Sequence, residues 1–447
     1  MTNEEFDITY NKLNKKQKEA VDTIDGPVMV VAGPGSGKTQ ILSLRVANIL
    51  RKTDIPAHGI LCLTFTEAGA INMLNRLKTM IDIEAYKVNI FTFHAFGTNI
   101  ISRYPEYFFN HANLSPADEL VQREIMTEIL ESLNHKNPFS SFHSNEGYVF
   151  LKDILSRISQ IKKAGITPYE YSLIINNNKI ILEQINSSLS EIFKDRLSTK
   201  IFPKIEKIIK EWGKIDVSFF PSDYFKPISL HIISSLKKAL EESISENKTT
   251  SIGEWKKKYT TGTNENISLK SFESQEKLEN LGFIYKEYKD KLFEKGYFDY
   301  DDMILEVIEA VKKNENLKAE LQEQFLYIMV DEFQDTNDAQ IRLIRLLSDN
   351  LVNEKKPNIM VVGDDDQAIY RFQGADISNI KDFHKVYDDV KIIVMTENYR
   401  SGQNILDLAR DIIVTGEGRL EDIIEGINKK LISSGEDNKK YKVDIKK

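Results

Sequence analysis

Apolar residues in this chain gather into short runs separated by longer amphipathic stretches. The runs are Val28-Met-Val-Val-Ala32, Gly59-Ile-Leu-Cys-Leu-Thr-Phe-Thr66, Val88-Asn-Ile-Phe-Thr-Phe-His-Ala-Phe96, Phe325-Leu-Tyr-Ile-Met-Val330, Asn358-Ile-Met-Val-Val362 and a segment opening at Val390. Runs with so little polar alternation predict strands buried on both faces. Ile41, Leu42, Leu44 and Ile49 have helical spacing after the first run, and Leu13, Ala20 and Val21 have it before. Strands alternating with helices predict right-handed crossovers and an α/β fold built on a parallel sheet. Ligands of such sheets bind beyond the carboxyl ends of the strands.

From Arg103 to about Leu292 the pattern is helical, through Leu120 to Leu133, Leu151 to Lys163, Ile180 to Phe193, Ile201 to Trp212, Ile228 to Leu240 and Gln275 to Lys295. Ser115-Pro-Ala-Asp118 reads as a helix start with Ser115 as the cap. Polar breaks are expected at Asn176-Asn-Asn178, at Glu246 to Ser251 and at Thr260 to Asn266. This stretch reads as a helical insertion within the α/β domain, its lysines forming a solvated face by default.

At 447 residues the chain predicts two or three domains. An apolar content of 41% and a charged content of 29% are those of a globular protein. The single cysteine, Cys62, excludes an internal disulfide framework and fits a reducing, cytoplasmic setting. The N-terminus lacks the basic-then-apolar layout of a secretion signal, and no apolar run approaches the roughly 20 residues that span a bilayer. A net charge of −8 argues against a generally basic coat for nucleic acid, though not against a local basic groove.

The chemistry centres on Ala32-Gly33-Pro34-Gly35-Ser36-Gly37-Lys38-Thr39, where a strand runs into a glycine-rich turn and then a helix. Glycines there let successive N–H groups point at a polyphosphate, and the helix opening near Gly37 adds its positive end. Lys38 is placed to reach the β- and γ-phosphates and Thr39 to ligate Mg²⁺. Ala32 stands where the strict pattern has glycine. A phosphate loop by itself names a nucleotide site and leaves motor, kinase and switch open.

Asp331 and Glu332 end an apolar run. Beside a phosphate loop they suit a division of labour, Asp331 holding Mg²⁺ and Glu332 orienting and deprotonating the attacking water. Gln367 follows another strand and is a candidate for γ-phosphate contact. Tyr370, Arg371 and Phe372 offer surfaces on which bases stack. Gln17 alone reads as a solvated helix residue, yet its amide can both donate to and accept from an adenine edge. Thr64, Phe65, Thr92, Phe93 and His94 fall at strand ends, where core packing is the bland reading of the aromatics.

In this order, the segments resemble the UvrD/Rep/PcrA family of superfamily 1A DNA helicases, from about Leu13 to Ala409. Gln17 matches the family's Q motif, Ala32 to Thr39 motif I, Leu63 to Met73 motif Ia and Thr92 to Phe96 motif Ib. Phe298-Asp-Tyr-Asp-Asp302 is similar to its turn before the return to the core. Val330-Asp-Glu-Phe-Gln-Asp-Thr-Asn337 matches motif II, Val362 to Asp376 motif III and Glu397-Asn-Tyr-Arg-Ser401 motif IV.

The resemblance implies ATP as substrate, Mg²⁺, and movement 3′ to 5′ on single-stranded DNA, with junctions to duplex as partners. It implies a RecA-like parallel sheet with a large all-helical insertion: first motor domain 1A over 1–104 and 293–395, helical domain 1B over 105–292, and the opening of 2A over 396–447. Gln17 then reads adenine, Tyr399 stacks on it, and Arg400 reaches the γ-phosphate from the second domain. Gln367 links nucleotide state to DNA, while Phe65, Thr92, His94, Tyr370 and Phe372 serve the strand track.

Departures are visible. Gln40 stands where the family usually has arginine, so an adenine-side cation is missing. Motif Ia reads Thr66-Glu-Ala-Gly-Ala70 where Thr-Asn-Lys-Ala-Ala is common, and Phe372-Gln373 replaces Trp-Arg. The insertion is longer than usual between Gly165 and Leu281. No equivalent of motifs V and VI follows Arg400, so the chain is expected to be the N-terminal half of such an enzyme, lacking the remaining 2A/2B portion. A RecB- or AddA-like helicase-nuclease subunit, and a fragment that binds nucleotide and DNA without turnover, stay open as alternatives.

Overall fold

The computed structural model describes residues 3–108, 114–145, 147–194, 197–217, 226–262, 267–349, 356–369, 378–416 and 419–435. Its chain divides into two compact units. One comprises Met1–Leu114, Lys162–Gly165 and Asp299–Lys447, the other Ser115–Ile161 and Ile166–Phe298.

The first unit is built on six parallel strands, β1 (Val28–Ala32), β2 (Ile60–Thr64), β3 (Asn89–Thr92), β4 (Tyr327–Val330), β5 (Ile359–Gly363) and β6 (Lys391–Met395). Their order across the sheet is β6-β1-β5-β4-β2-β3. Every residue of β1, β2, β4 and β5 is buried because both faces are covered. Alternation sorts these side chains into two cores. Met29, Val31, Leu61, Leu63, Ile328 and Val361 enter one. Val28, Val30, Ile60, Cys62, Met329 and Met360 enter the other.

Helices Lys38–Lys52, Glu67–Ile81 and Phe93–Arg103 directly follow β1, β2 and β3. Thr66 and Thr92 cap the latter two, accepting from the backbone N–H of Gly69 and Ala95. Beyond β6, Glu397–Asn398 pairs in parallel with Ile432–Ser433, and helix Gln403–Ile413 lies between them in sequence.

Among its described residues the second unit is helical apart from three two-residue β pairs, one joining Ser115–Pro116 to Tyr297–Phe298. That pair corrects the expected cap: Pro116 sits in the bridge, and the helix Glu119–Ser132 is capped by Asp118, which accepts from Val121 N at 2.9 Å. Nor do Asn176 to Asn178 break a helix. A single helix runs Pro168–Phe193 from a Thr167/Glu170 capping box. Asn178 is buried within it, accepting from Ile228 N at 3.1 Å, so polarity there serves a tertiary contact. Several surface lysines are paired along their own helices, as Lys210 is with Glu206 at 2.8 Å, which fits a solvated face.

Candidate nucleotide site

β1 delivers the phosphate loop and β4 delivers the paired carboxylates, with only β5 between them. Gly35 and Gly37 take φ of +69° and +88°, which the loop needs to turn its N–H groups inward and start the helix at Lys38. Ser36 closes the turn by donating to Gly33 O at 2.6 Å. Gln17 is buried, not solvated: its amide donates to Ser36 O at 2.9 Å and accepts from Asn14 N at 3.0 Å, so it braces the loop.

Lys38 Nζ donates to Glu332 Oε2 at 2.6 Å and to Gln367 Oε1 at 3.3 Å. Thr39 Oγ1 donates to Asp331 Oδ2 at 3.5 Å. Glu332 holds a left-handed backbone, φ +49°, a conformation non-glycine residues adopt under constraint and often at functional sites. Burial first, then the neighbouring Glu332, pushes the Asp331 carboxyl up to about 6, against the opposing pull of Lys38. Asp335 is likewise pushed up to about 6 by burial and Glu332. Several carboxyl groups around one ammonium make a site short of positive charge. A hard divalent cation with oxygen preference, such as Mg²⁺, therefore fits the Thr39 hydroxyl and Asp331 carboxylate.

The loop is also held from the far side. Asn398 Nδ2 donates to Pro34 O at 2.5 Å, and Tyr399 N donates to Gly35 O at 2.9 Å. Arg400 stands over Gly35, where an added Cβ would lie 2.7 Å from Arg400 Cβ, and its own side chain is exposed. Tyr399 OH accepts from Asn14 Nδ2 at 2.9 Å, which puts that ring beside the segment carrying Gln17. Gln40 lies in the first turn of the same helix as Lys38. A polar cleft of about 450 Å³ opens at Thr39, lined by Asn72, Asn75, Arg76 and Thr79.

Phe65, Thr92 and His94 are apart from these groups, at the β2–β3 edge, where Thr64 and Thr92 are register partners. His94 is half-buried, its ring edge-on to Tyr300 at 6.4 Å. Tyr370 and Phe372, with Arg371, lie outside the described residues.

Three groups were missed by sequence reasoning. Gln334 is buried between Glu332 and Asp364. Lys429 reaches Asp364 at 2.5 Å and Asp366 at 2.7 Å and also pairs with Asp365. Arg419 grips Asp366 through two bonds of 2.7 and 2.6 Å. The run Asp364-Asp-Asp366 signals a need for cations, but nothing local points to partners more than 50 residues away.

The family model described as the UvrD/REP helicase N-terminal domain matches residues 13–388. Curated relatives include proteins named ATP-dependent DNA helicase PcrA. That of Leuconostoc citreum is 26% identical over 90% of this chain and 39% of its own length. That of Staphylococcus epidermidis is 27% identical over 90% and 40%. The Bacillus subtilis protein is 26% identical over 91% and 40%. The chain thus spans about two fifths of the length of these relatives. With its phosphate loop, paired carboxylates and matched length, the chain belongs to the UvrD/REP helicase N-terminal domain family.

Proposed function

We propose that this chain is the ATP-binding portion of an ATP-dependent DNA helicase that translocates 3′ to 5′ on single-stranded DNA, in repair, recombination or replication within the cytoplasm. The observation that carries it is the convergence of Lys38 on Glu332 and Gln367, beside Thr39 and Asp331. Loop N–H groups and Lys38 bind the triphosphate, leaving Glu332 to orient a water in line with the γ-phosphorus and take its proton. Thr39 and Asp331 would hold Mg²⁺, which when bound would supply neutralisation of the phosphate charge. Tyr399 and Gln17 border the base, and Arg400 reaches the γ-phosphate as the segment from Glu397 closes. Gln367 reports nucleotide state toward the β2–β3 edge, where Phe65, Thr92 and His94 meet the strand; Tyr370 and Phe372 are proposed as further strand contacts from the sequence alone.

In this reading the 1A, 1B and 2A boundaries expected from the sequence are functional divisions. The test is strand displacement by the full-length protein on duplexes with either tail. Unwinding from a 3′ tail with ATP is expected; unwinding only from a 5′ tail contradicts the polarity, and none from either contradicts the helicase assignment.

A further inference from the structure

Five residues around the phosphate loop form a closed ring, Asp364 through both its carboxylate and its backbone N–H. Lys38 donates to Glu332 at 2.6 Å and to Gln367 at 3.3 Å. Gln367 Nε2 donates to Asp364 Oδ2 at 2.8 Å. The Asp364 N–H donates to Gln334 Oε1 at 3.0 Å, and Gln334 Nε2 donates back to Glu332 Oε2 at 2.9 Å. Both ends of the Gln334 amide are thereby used, one on the carboxylate after β4 and one on the first amide after β5.

The surroundings are shaped for this bridge. Gln334 is 2% exposed. Gly363 is constrained to have no side chain, because a Cβ there would stand 2.6 Å from Gln334 Oε1 and 3.2 Å from its backbone N. Glu332 sits in the left-handed region, and the turn Phe333–Asp335 after it folds Gln334 back onto its own carboxylate. Gln334 Nε2 also donates to Asp335 Oδ2 at 3.3 Å, so the buried amide is held at three points and acts as a rigid strut: taking it away leaves the Asp364 N–H without its acceptor and Glu332 without its nearer amide donor, which opposes any swing of either partner.

Lys38 and Gln334 donate to the same oxygen of Glu332. A triphosphate in the loop draws Lys38 onto its phosphates, which removes one of the two donors. We propose that Gln334 is the positioning residue for Glu332: it holds the carboxylate in place when Lys38 leaves and ties that position to the start of the Asp364–Gln367 turn. Motion of that turn then moves Glu332 through Gln334, and motion of Glu332 moves the turn. The proposal rests on the reading of Glu332 as the group that holds the attacking water.

The test compares full-length protein with Gln334→Met, which removes the bonds to Glu332, Asp335 and Asp364 at similar size, and with Gln334→Glu, which keeps an acceptor for Asp364 N–H but loses the donor to Glu332 and Asp335. Backbone hydrogen exchange over Ile359–Gln367 reads the bridge without any turnover. Gln334→Met is expected to speed exchange at the Asp364 amide about tenfold, while Gln334→Glu leaves it protected. Both variants are expected to bind ATP within about threefold of the unaltered protein and to lose about 10²-fold in kcat with little change in KM. Unchanged exchange in Gln334→Met overturns the bridge, and unchanged kcat in that variant, or in Gln334→Glu where it folds, overturns the positioning role. Absence of turnover in the unaltered protein contradicts the catalytic reading of Glu332 instead, and exchange at Asp364 then decides the bridge by itself.

Discussion

Lys38 of the phosphate loop is paired with Glu332 at the end of β4, Nζ to Oε2, at 2.6 Å. Their side chains are 10% and 36% exposed, so this is a partly solvated pair at a cleft mouth. Without nucleotide each charge neutralises the other. A triphosphate offers Lys38 more negative charge than one carboxylate does, which makes exchange of partners favourable.

Lys38→Ala should therefore lower ATP affinity by tenfold or more while leaving the protein folded, since the Glu332 it leaves behind is 36% exposed and stays hydrated. Equilibrium titration with a fluorescent ATP analogue, beside thermal unfolding, checks both. A severe loss of stability with intact binding would sink the idea.

Lys162 illustrates the opposite regime. It is fully buried, with Nζ 2.8 Å from Asp302 and 3.1 Å from Asp299, the two residues of the capping box that opens helix Tyr300–Lys313. Lys162→Ala strands two carboxylates and should cost about 3–5 kcal/mol. Burial opposes the lysine charge, but Asp302 and Asp299 outweigh it and hold the pKa above the ordinary lysine value. A raised pKa contributes stability that is fully present below the unfolded lysine value and fades as pH rises through the folded one. The gap in unfolding midpoint between unaltered protein and Lys162→Ala should thus stay constant from pH 7 to about 10 and narrow only above the ordinary lysine range of about 10.4. Narrowing near neutrality would contradict this.

The stretch from Arg419 to Leu431 is fastened to Asp364–Asp366. Burial alone would raise the Asp366 pKa, yet Arg419 and Lys429 outweigh it and hold the carboxyl below its usual range. A depressed pKa contributes stability that is present above the unfolded value and lost as pH falls through the folded one. Hydrogen exchange over 419–431, corrected for intrinsic rates, should stay slow at pH 5 and accelerate only below about pH 3.9. Lys429→Ala should accelerate it already at pH 7, and protection unchanged in that variant would refute the fastening.

Cys62 lies on β2 with 1% exposure, and burial pushes its thiol up to about 12. Thiolate is the reactive form, so native protein at pH 8 should resist alkylation and react only on unfolding. Its labelling rate then reports opening of the sheet. Rapid labelling of native protein would show that β2 is accessible.

The sheet was legible because buried parallel strands announce themselves as unbroken apolar runs, and the phosphate loop because glycine, lysine and threonine have few other uses in that spacing. The structure joins Lys38 to Glu332 and Gln367, and Thr39 to Asp331. Contacts made by tertiary folding were not legible. Gln334 shows no local sign that its amide meets Asp364, 30 positions on. Asn178 looks like a helix breaker until Ile228 N is seen to need an acceptor. The stretch around Arg419 and Lys429 gave little to read because its ion pairs are with residues more than 50 positions away, and its apolar anchor is the single buried Leu420 with Ile424 beside it.

The most direct measurement is ATP hydrolysis by the full-length protein, with and without single-stranded DNA, compared with Glu332→Gln. Turnover stimulated by DNA is expected in the unaltered protein, with Glu332→Gln binding ATP normally and hydrolysing about 10²-fold more slowly or worse. Hydrolysis indifferent to DNA, or Glu332→Gln turning over at the unaltered rate, would contradict the account.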